Sequence, residues 1–396
     1  MDNVNIINTS SRLFCEGLKI DFYENCPDPD WDNFLSHLPG AHIERTSLWA
    51  LFRAHYGWRS VRWVARKNGQ IVGGIQMLLN NLMWFGQRGY VIRGPHVLKD
   101  FQPFVDEFLI DFVIEFAIKK NLLFLVFELP YWGEGIANIL DKREFGFHPK
   151  GVPPVTLMTA TLLLDLRQSV DDIFKKMLPS VRRNVRIGMK SEFEMVVGGK
   201  EDLEIFYNLI LAICARRGVS PLPSHSSFFK RLWDVMEDNG WVKLFLLKLK
   251  DEVVSGAFAF TFGDTIRVWK VGWSGEHGDK KPNHFLWWSI ILWAKENGFR
   301  ELDFVWVDED DVILLARGEK NPNVFRDGTT FFKMGFGGRL VMIPEPRSQF
   351  FHPFLKVFPR RWLFSIIQAS GLKHSISFLW NKNQLRKHLN EDPKLY

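Results

Sequence analysis

The sequence predicts a mixed α/β protein in which one α/β unit occurs twice. Residues 64–79 and 246–262 share a pattern, since each reads as a strand, a polar turn and a return strand that begins with a pair of small residues. In each half of the chain, a helix and then an apolar strand follow this hairpin. The 396 residues, 46% hydrophobic and 24% charged, are enough for two or three globular domains. We therefore expect two domains of like topology.

The elements of the first half follow from hydrophobic periodicity and turn residues. Asn68-Gly69 is a strong hairpin turn, because both residues tolerate positive φ. Residues 87–95 are expected to form a glycine-rich loop. Periodicity predicts helices at residues 30–38, 47–55 and 101–120 and strands at residues 60–67, 70–79, 82–85 and 122–129.

The elements of the second half are predicted in the same way. Periodicity predicts helices at residues 169–190, 200–217, 224–239 and 283–297 and strands at residues 156–165, 242–250, 253–262, 265–272 and 301–307. A hairpin followed by a strand, a helix and a strand is the order of the acetyltransferase fold with a splayed central sheet, although many folds share this order. We predict that the first domain covers residues 1–165 and that the second covers residues 166–346.

Positive charge is concentrated at the end of the chain. The whole sequence carries +6, whereas residues 347–396 hold nine Lys or Arg and two acids, a net charge of +7. Phe, Trp and Leu are interleaved with these cations, which predicts a separate basic aromatic tail. Such a segment can lie at an anionic membrane surface or along a nucleic-acid backbone. The alternative is a helix that packs its apolar face on the body and leaves its basic face in solvent.

The N-terminus and the cysteines indicate the compartment. Residues 1–14 lack the basic and apolar regions of a signal peptide, and no run of 18 apolar residues could span a membrane. Three cysteines, Cys15, Cys26 and Cys214, are too few for a disulfide framework or a convincing metal site. We expect a cytoplasmic protein without a metal, and a peripheral position at the inner face of the plasma membrane if the tail binds lipid.

Conventional motifs are absent, since the chain holds no P-loop, GxSxG, HExxH or dinucleotide GxGxxG sequence.

Two segments could bind an anion. Residues 273–285 precede a helix whose N-terminal N–H groups could bind a phosphate, and the alternative is a polar loop with Asn283 as the helix cap. In residues 179–190, spacing by three and four places Arg182 or Arg183 on one helix face with Arg186 and Lys190. Like charges repel there unless an anion lies between them, so this helix indicates a phosphate or nucleic-acid partner.

Two further segments hold candidate catalytic residues. In residues 91–100, a Gly-Pro turn projects Arg93, and Asp100 opens the next helix, where capping is the plain alternative. In residues 328–338, a short helix is followed by three glycines that force irregular backbone. Lys333 is therefore held near a backbone cradle. From spacing alone, a lysine that extends to solvent along an amphipathic turn remains the favoured interpretation.

Together, these segments resemble the Fem family of peptidoglycan interpeptide-bridge aminoacyltransferases. The resemblance rests on RGP followed by an acid, an Arg-rich helix that opens the second half, ARRG at residues 215–218 and, above all, FFKMGFGG at residues 331–338. The chain lacks the long helical hairpin arm that some members insert, and it adds the basic tail. The family implies two tandem domains of the acetyltransferase (GNAT, acyl-CoA N-acyltransferase) fold.

The resemblance also implies an activity. An aminoacyl group would pass from aminoacyl-tRNA, a co-substrate, to an amine of a peptidoglycan precursor or a related cell-envelope acceptor, with no cofactor. Asp100 would deprotonate the amine, and Lys333 would stabilise the oxyanion. A lysine tip at a cleft should contribute little to stability. The implied substrate-binding residues are Arg93, Arg183, Arg217, Phe332 and Trp273.

Two other functions stay open at this point. The same fold serves acyl-CoA-dependent N-acyltransferases that act on a sugar or peptide amine in cell-surface polysaccharide synthesis. Residues 273–285 lack the tight glycine spacing of an acyl-CoA pyrophosphate loop, which counts against this alternative. The second alternative is a non-catalytic accessory protein, and normal product formation by a Lys333→Ala variant would favour it.

Overall fold

The chain folds into two compact units, each built on one mixed sheet. The computed structural model describes residues 17–82, 86–148, 160–319, 324–325 and 328–351. Of these, the first unit holds residues 17–35, 44–148 and 344–351, and the second holds residues 36–43 and those between 160 and 343. The predicted mixed α/β class is confirmed.

The first unit begins with a strand, two short helices and a long hairpin. The second of these helices, Ser47–Ala54, is capped by Thr46, whose side chain accepts a hydrogen bond from the backbone N–H of Trp49. The strands are β1 (Leu18–Glu24), β2 (Trp58–Lys67), β3 (Gln70–Asn81), β4 (Gln87–Ile92), β5 (His96–Val97), β6 (Phe124–Glu128) and β7 (Gly146–Phe147). The helices are α1 (Pro29–Ser36), α2 (Ser47–Ala54), α3 (Phe104–Lys119) and α4 (Glu134–Lys142).

One face of this first sheet is apolar. Val61, Met77, Val91 and Phe127 oppose one another in the strand registers, so their side chains share a face, and all four are buried. Apolar residues of α3 and α4 pack on them and complete a single core cluster. The other face carries polar side chains such as Arg62 and Gln76, which donate to the Asp28 carboxylate and to the carbonyls of Arg45 and Thr46, respectively.

The second unit repeats this plan with more helices. Its strands are β8 (Ala160–Asp165), β9 (Phe193–Gly198), β10 (Val242–Leu249), β11 (Glu252–Phe262), β12 (Thr265–Trp273), β13 (Glu301–Asp303) and β14 (Arg339–Met342). Its helices are α5 (Val170–Lys176), α6 (Pro179–Met189), α7 (Leu203–Arg216), α8 (Ser227–Met236), α9 (Pro282–Glu296), α10 (Glu309–Ala316) and α11 (Gly328–Met334). Among the described residues, no helix is both long and apolar enough to cross a membrane.

The two sheets have the same strand order. The first runs β1-β2-β3-β4-β6 and is completed by β15 (Arg347–Phe350) and then β7. The second runs β9-β10-β11-β12-β13-β8-β14. In each sheet the fourth and fifth strands are parallel and the other neighbours on the path are antiparallel. The first unit thus takes one of its strands from a segment that follows the whole second unit.

Several local expectations differ from the structure. Residues 87–95 do not form the expected loop, since they contain β4. Gly89 is part of this strand because its backbone packs closely on Met77, whose sulfur would lie 2.7 Å from a Cβ at this position. The helix expected at residues 169–190 is two helices, with Met177 in extended backbone between them. The strand expected at residues 301–307 ends at Asp303. Part of the strands expected at residues 82–85 and 156–165, and most of the tail, lie outside the described residues.

Candidate functional site

The parallel strands of the second unit stop pairing part-way along. Strand β12 pairs with β13 only from Thr265 to Arg267, although it continues beside β11 to Trp273. Beyond β13 the chain stays beside β8 instead, since the Phe304 N–H donates to the Leu162 carbonyl at 3.0 Å. We call the place where β12 and β13 stop pairing the strand split. In the first unit, by contrast, β4 pairs with β6 along the whole of β6.

A buried carboxylate lies at the apex of the strand split. Asp303 is 3% exposed, and its Oδ2 atom lies 3.2 Å from Nε of Arg267, which is 5% exposed. Its Oδ1 atom accepts hydrogen bonds from the Thr161 hydroxyl and, at 2.8 Å, from the backbone N–H of Val305. A buried carboxylate needs such partners, because burying a polar group without hydrogen bonds is costly. Asp303 therefore ties three segments of the second sheet together.

The two residues after the apex have a strained backbone. Val305 and Trp306 have φ values of 53° and 49°, a region that β-branched and bulky residues rarely enter. Each such residue costs on the order of 1–3 kcal/mol unless its surroundings hold it. The Lys333 ammonium supplies part of that support, since Nζ donates to the Val305 carbonyl at 2.7 Å and to the Trp306 carbonyl at 3.0 Å. Lys333 is half-buried, so its charge is fixed at the strand split.

The glycine-rich segment after α11 holds Lys333 in place. A Cβ on Gly335 would lie 2.5 Å from a Val181 methyl group, so glycine permits close packing on α6. The Gly335 carbonyl accepts a hydrogen bond from the Leu178 N–H at 2.9 Å, and Phe336 is fully buried. The sequence motif therefore has a packing reason as well as a chemical one.

Phe332 lies beside His284, which belongs to the candidate phosphate-binding segment at residues 273–285. The Phe332 ring centroid is 4.8 Å from that of His284 and 5.3 Å from that of Phe336. Burial lowers the pKa of His284 to about 4, so the imidazole is neutral at pH 7. The neutral Nε2 atom lies 3.1 Å from Nδ2 of Asn184, from which it can accept a hydrogen bond.

Most backbone N–H groups at the start of α9 are already used. The amides of Lys280, Lys281 and His284 donate to His277, Gly278 and Lys281 carbonyls, respectively, and Pro282 has none. The loop at residues 273–285 is therefore a poor cradle for a pyrophosphate, which needs several converging amides.

The remaining predicted residues of the second unit are two arginines and the tryptophan that opens this loop. Arg183 and Arg217 are exposed on α6 and just after α7. Trp273 is half-buried, and the guanidinium that stacks on its ring, at 4.9 Å, belongs to Arg216. Arg216 also donates to the Trp273 and Ser274 carbonyls. The sequence analysis named Arg217 and missed Arg216. Which of the two arginines reaches Trp273 depends on the side of α7 that faces β12, and the sequence does not show this.

In the first unit, Arg93 is buried and faces a carboxyl group. Its Nε atom lies 4.0 Å from Oε1 of Glu128, and the Tyr90 hydroxyl donates to Oε2 at 3.0 Å. Burial raises the pKa of Glu128 to about 7, against the weaker effect of the Arg93 charge. Asp100 is exposed in a short 3-10 turn, and Pro103 occupies the cap position of α3, so the capping alternative for Asp100 is wrong.

Two arginines that the sequence analysis missed flank one tryptophan in the first unit. The guanidinium carbons of Arg53 and Arg88 lie 4.9 Å and 5.4 Å from the centroid of Trp58. Burial lowers the pKa of both, to about 10 for Arg88, whose charge is also disfavoured by Arg53. Among the described residues, neither Nε atom has a hydrogen-bond acceptor. Two like charges at one buried ring can bind an anion, and only their shared position in the fold reveals this.

Comparisons with known proteins support the fold. The Acetyltransferase (GNAT) domain family matches residues 175–311. A lipid II:glycine glycyltransferase of Staphylococcus epidermidis is 26% identical over 248 residues, which are 58% of this chain and 56% of that protein. The crystal structure of FemX superposes with a TM-score of 0.72 at 17% identity, covering 85% of this chain and 99% of that one. The chain is similar to lipid II:glycine glycyltransferases, and its fold is that of FemX.

The fold consists of two GNAT-like domains, as the resemblance implied. A tandem GNAT protein from the clavulanic acid biosynthesis pathway has a TM-score of 0.50 at 11% identity, over 85% of this chain and 99% of that one. The chain spans about half the length of the curated relatives it matches. In the described part of this chain, no three His, Cys, Asp or Glu side chains are grouped to hold a metal ion.

Proposed function

We propose that this protein transfers an aminoacyl group from aminoacyl-tRNA to an amine of a peptidoglycan precursor. The observation that carries the proposal is the fixed ammonium of Lys333 at the strand split of the second unit. Support comes from the curated relatives, which are named lipid II:glycine glycyltransferases. A lipid-linked precursor is therefore the acceptor that we propose.

The strand split is where we place the aminoacyl ester. Beyond Arg267, the edge of β12 that faces away from β11 has no partner strand among the described residues, so its N–H and C=O groups can bind an extended acyl group. The acceptor nitrogen attacks the ester carbonyl, the new C–N bond forms, and the bond to the ribose oxygen breaks. Lys333 stabilises the oxyanion that develops in between, because a fixed cation needs no reorganisation at that moment.

Proton transfer completes the reaction. A lysine-type amine has a pKa of about 10.4 and must lose a proton before it attacks. Asp100 is exposed on the first unit, so it is accessible to an acceptor, and we propose it as the base. The proton finally resides on the ribose hydroxyl that leaves. No cofactor takes part in this scheme.

Phosphate groups of the two substrates account for the arginines. We propose that Arg53 and Arg88 hold the diphosphate of the acceptor, since they are a pair of half-buried like charges. Arg183 and Arg217 are exposed and suit the tRNA phosphates. We propose Phe332 and Trp273 as aromatic surfaces for the same substrate. Arg93 faces Glu128 and would act through that carboxyl group.

The same proposal covers the place of the protein in the cell. A lipid-linked acceptor lies at the inner face of the plasma membrane, so we propose a cytoplasmic protein at the membrane periphery. The net charge of +7 over residues 347–396 supports this position, because anionic lipids attract basic segments.

An acyl-CoA-dependent N-acyltransferase is the second candidate. The GNAT domain match over residues 175–311 favours it. The loop before α9 disfavours it, since its amides already donate to backbone carbonyls. Aminoacyl transfer is therefore the better-supported function.

One assay separates the two candidates. Purified protein is incubated with lipid II in mixed micelles and with each of several radiolabelled aminoacyl-tRNAs, or with labelled acetyl-CoA. We expect label in lipid II only from aminoacyl-tRNA, and none after ribonuclease treatment of the donor. Transfer from acetyl-CoA, with none from any aminoacyl-tRNA, would overturn the proposal.

A further inference from the structure

We propose that Asp303 is a positioning residue for Lys333. The link runs through backbone, since Asp303 binds the Val305 N–H and Lys333 binds the Val305 and Trp306 carbonyls. The effect of Asp303 on catalysis rests on the proposed function, whereas its effect on the position of Lys333 does not. Nothing in the sequence motif around Lys333 points to this carboxylate, which lies 30 residues earlier in the chain.

The left-handed conformation of Val305 and Trp306 is the middle step of the link. At negative φ, the usual state for these residue types, the two carbonyls would point elsewhere and could not converge on one ammonium. The Asp303 carboxylate favours the left-handed state by accepting the N–H of the residue two positions on. Lys333 is thus held by carbonyls whose direction Asp303 sets.

The other partners of Asp303 fix the carboxylate itself. Arg267 approaches one oxygen from β12, and the Thr161 hydroxyl approaches the other from β8. These strands lie on the two sides of β13, so the carboxylate cannot rotate without breaking contacts on both. A rigid anchor is what a catalytic cation needs, because a displacement of about 1 Å can cost on the order of a hundredfold in rate.

The test is a double-mutant cycle on Asp303 and Lys333. Asp303→Asn keeps the side-chain shape but replaces one acceptor oxygen by a donor facing Arg267. We expect kcat to fall roughly 10- to 100-fold while KM changes little, the range set by partial misplacement of one charge. In a Lys333→Met background, the same Asp303→Asn change should alter kcat by less than about twofold. An equal loss in both backgrounds would mean a general structural role and would overturn the proposal.

A rescue and a control sharpen the cycle. Val305→Gly removes the left-handed penalty, so kcat of Asp303→Asn should recover in part when the two changes are combined. Glu301→Gln, on the same strand, removes an exposed ion pair to Arg339 and should leave kcat unchanged. If Asp303→Asn fails to fold, Thr161→Val takes its place as a milder change to the same carboxylate. Absence of any rescue by Val305→Gly would contradict the backbone link.

A second readout does not depend on catalysis. Trace acetylation of lysines, quantified by mass spectrometry, compares Lys333 with Lys295, which also donates to two backbone carbonyls. In Asp303→Asn, the reactivity of Lys333 relative to Lys295 should rise severalfold, because its carbonyl partners are displaced. Unchanged labelling would overturn the inference. If the wild type transfers no aminoacyl group, the proposed function fails, and the labelling ratio still decides the role of Asp303.

Discussion

Replacing Lys333 by methionine should lower both stability and turnover. The change removes two hydrogen bonds from an ammonium to the carbonyls of Val305 and Trp306. A hydrogen bond to a charged group contributes about 1.5–3 kcal/mol when buried. Lys333 is half-buried, so water replaces part of each bond, and we expect a total loss of about 2 kcal/mol. The two hydrogen bonds therefore predict a larger contribution of Lys333 to stability than the sequence alone does.

Thermal melting and steady-state kinetics measure the two effects. For a unit of this size, about 2 kcal/mol corresponds to a fall in Tm of roughly 4–8 °C. Loss of one oxyanion-stabilising group typically lowers kcat by about a hundredfold or more. KM should change much less, because the interaction forms only in the transition state.

Lys295 provides the matched control. It is half-buried in the same unit, and its ammonium donates to the carbonyls of Leu166 and Gln168. Lys295→Met should therefore melt earlier by a similar amount and keep normal kcat. If Lys333→Met and Lys295→Met lose turnover equally, the charge of Lys333 has no special part in the reaction. If Lys333→Met melts like the wild type, its two hydrogen bonds do not stabilise the fold.

Three further predictions concern the first unit. In urea unfolding, Gly74→Ala should lower the free energy of unfolding by about 1–3 kcal/mol, because the new Cβ would lie 2.6 Å from the Trp31 ring. Gly135 lies in open space on α4, so Gly135→Ala should raise the free energy of unfolding by up to about 1 kcal/mol. Changes of the same sign in both variants would contradict the packing. Burial raises the pKa of Glu128 in the folded protein to about 7, above its ordinary value of 4.5. The free energy of unfolding of the wild type should therefore fall as the pH rises from about 4.5 to about 7, because the folded state holds this proton more tightly. In Glu128→Gln, the free energy of unfolding should decline less steeply between about pH 5 and pH 8. Inorganic pyrophosphate should raise the Tm of the wild type more than that of Arg53→Gln at equal ionic strength, and equal shifts would exclude a bound anion at this arginine.

Local sequence signals predicted both hairpins and most of the helices, but not α4 or α10. Asn68 and Gly69 have φ values of 51° and 84°, as the turn between β2 and β3 requires. Strand β4 was missed because its glycine reads as a turn, whereas the structure uses it for close contact with Met77. Strand β15 was missed for another reason. Four residues that pair with a strand more than 200 positions earlier carry no local pattern that names their partner.

In the candidate site, too, the sequence predicts features that have a local signal and misses those that depend on distant residues. The glycines around Lys333 mark the lysine in the sequence, since they have a local conformational meaning. Its contacts could not be predicted, because Val305 and Trp306 take a backbone conformation that their residue types disfavour. Arg53 and Arg88 come from α2 and β4, and only the folded sheet brings both to Trp58. Such sites depend on tertiary structure that overrides local preference.

Strand β15 has a consequence for protein synthesis. Domains of many proteins fold as they leave the ribosome, starting from the N-terminus. The N-terminal sheet of this chain lacks the strand between β6 and β7 until residue 350 has been made, after the entire second unit. Until then β6 presents a bare edge of unpaired backbone groups, which is a template for misassociation. A stop codon placed near residue 346 would therefore leave the first sheet permanently open, whereas one placed after Phe351 would remove only residues of the tail.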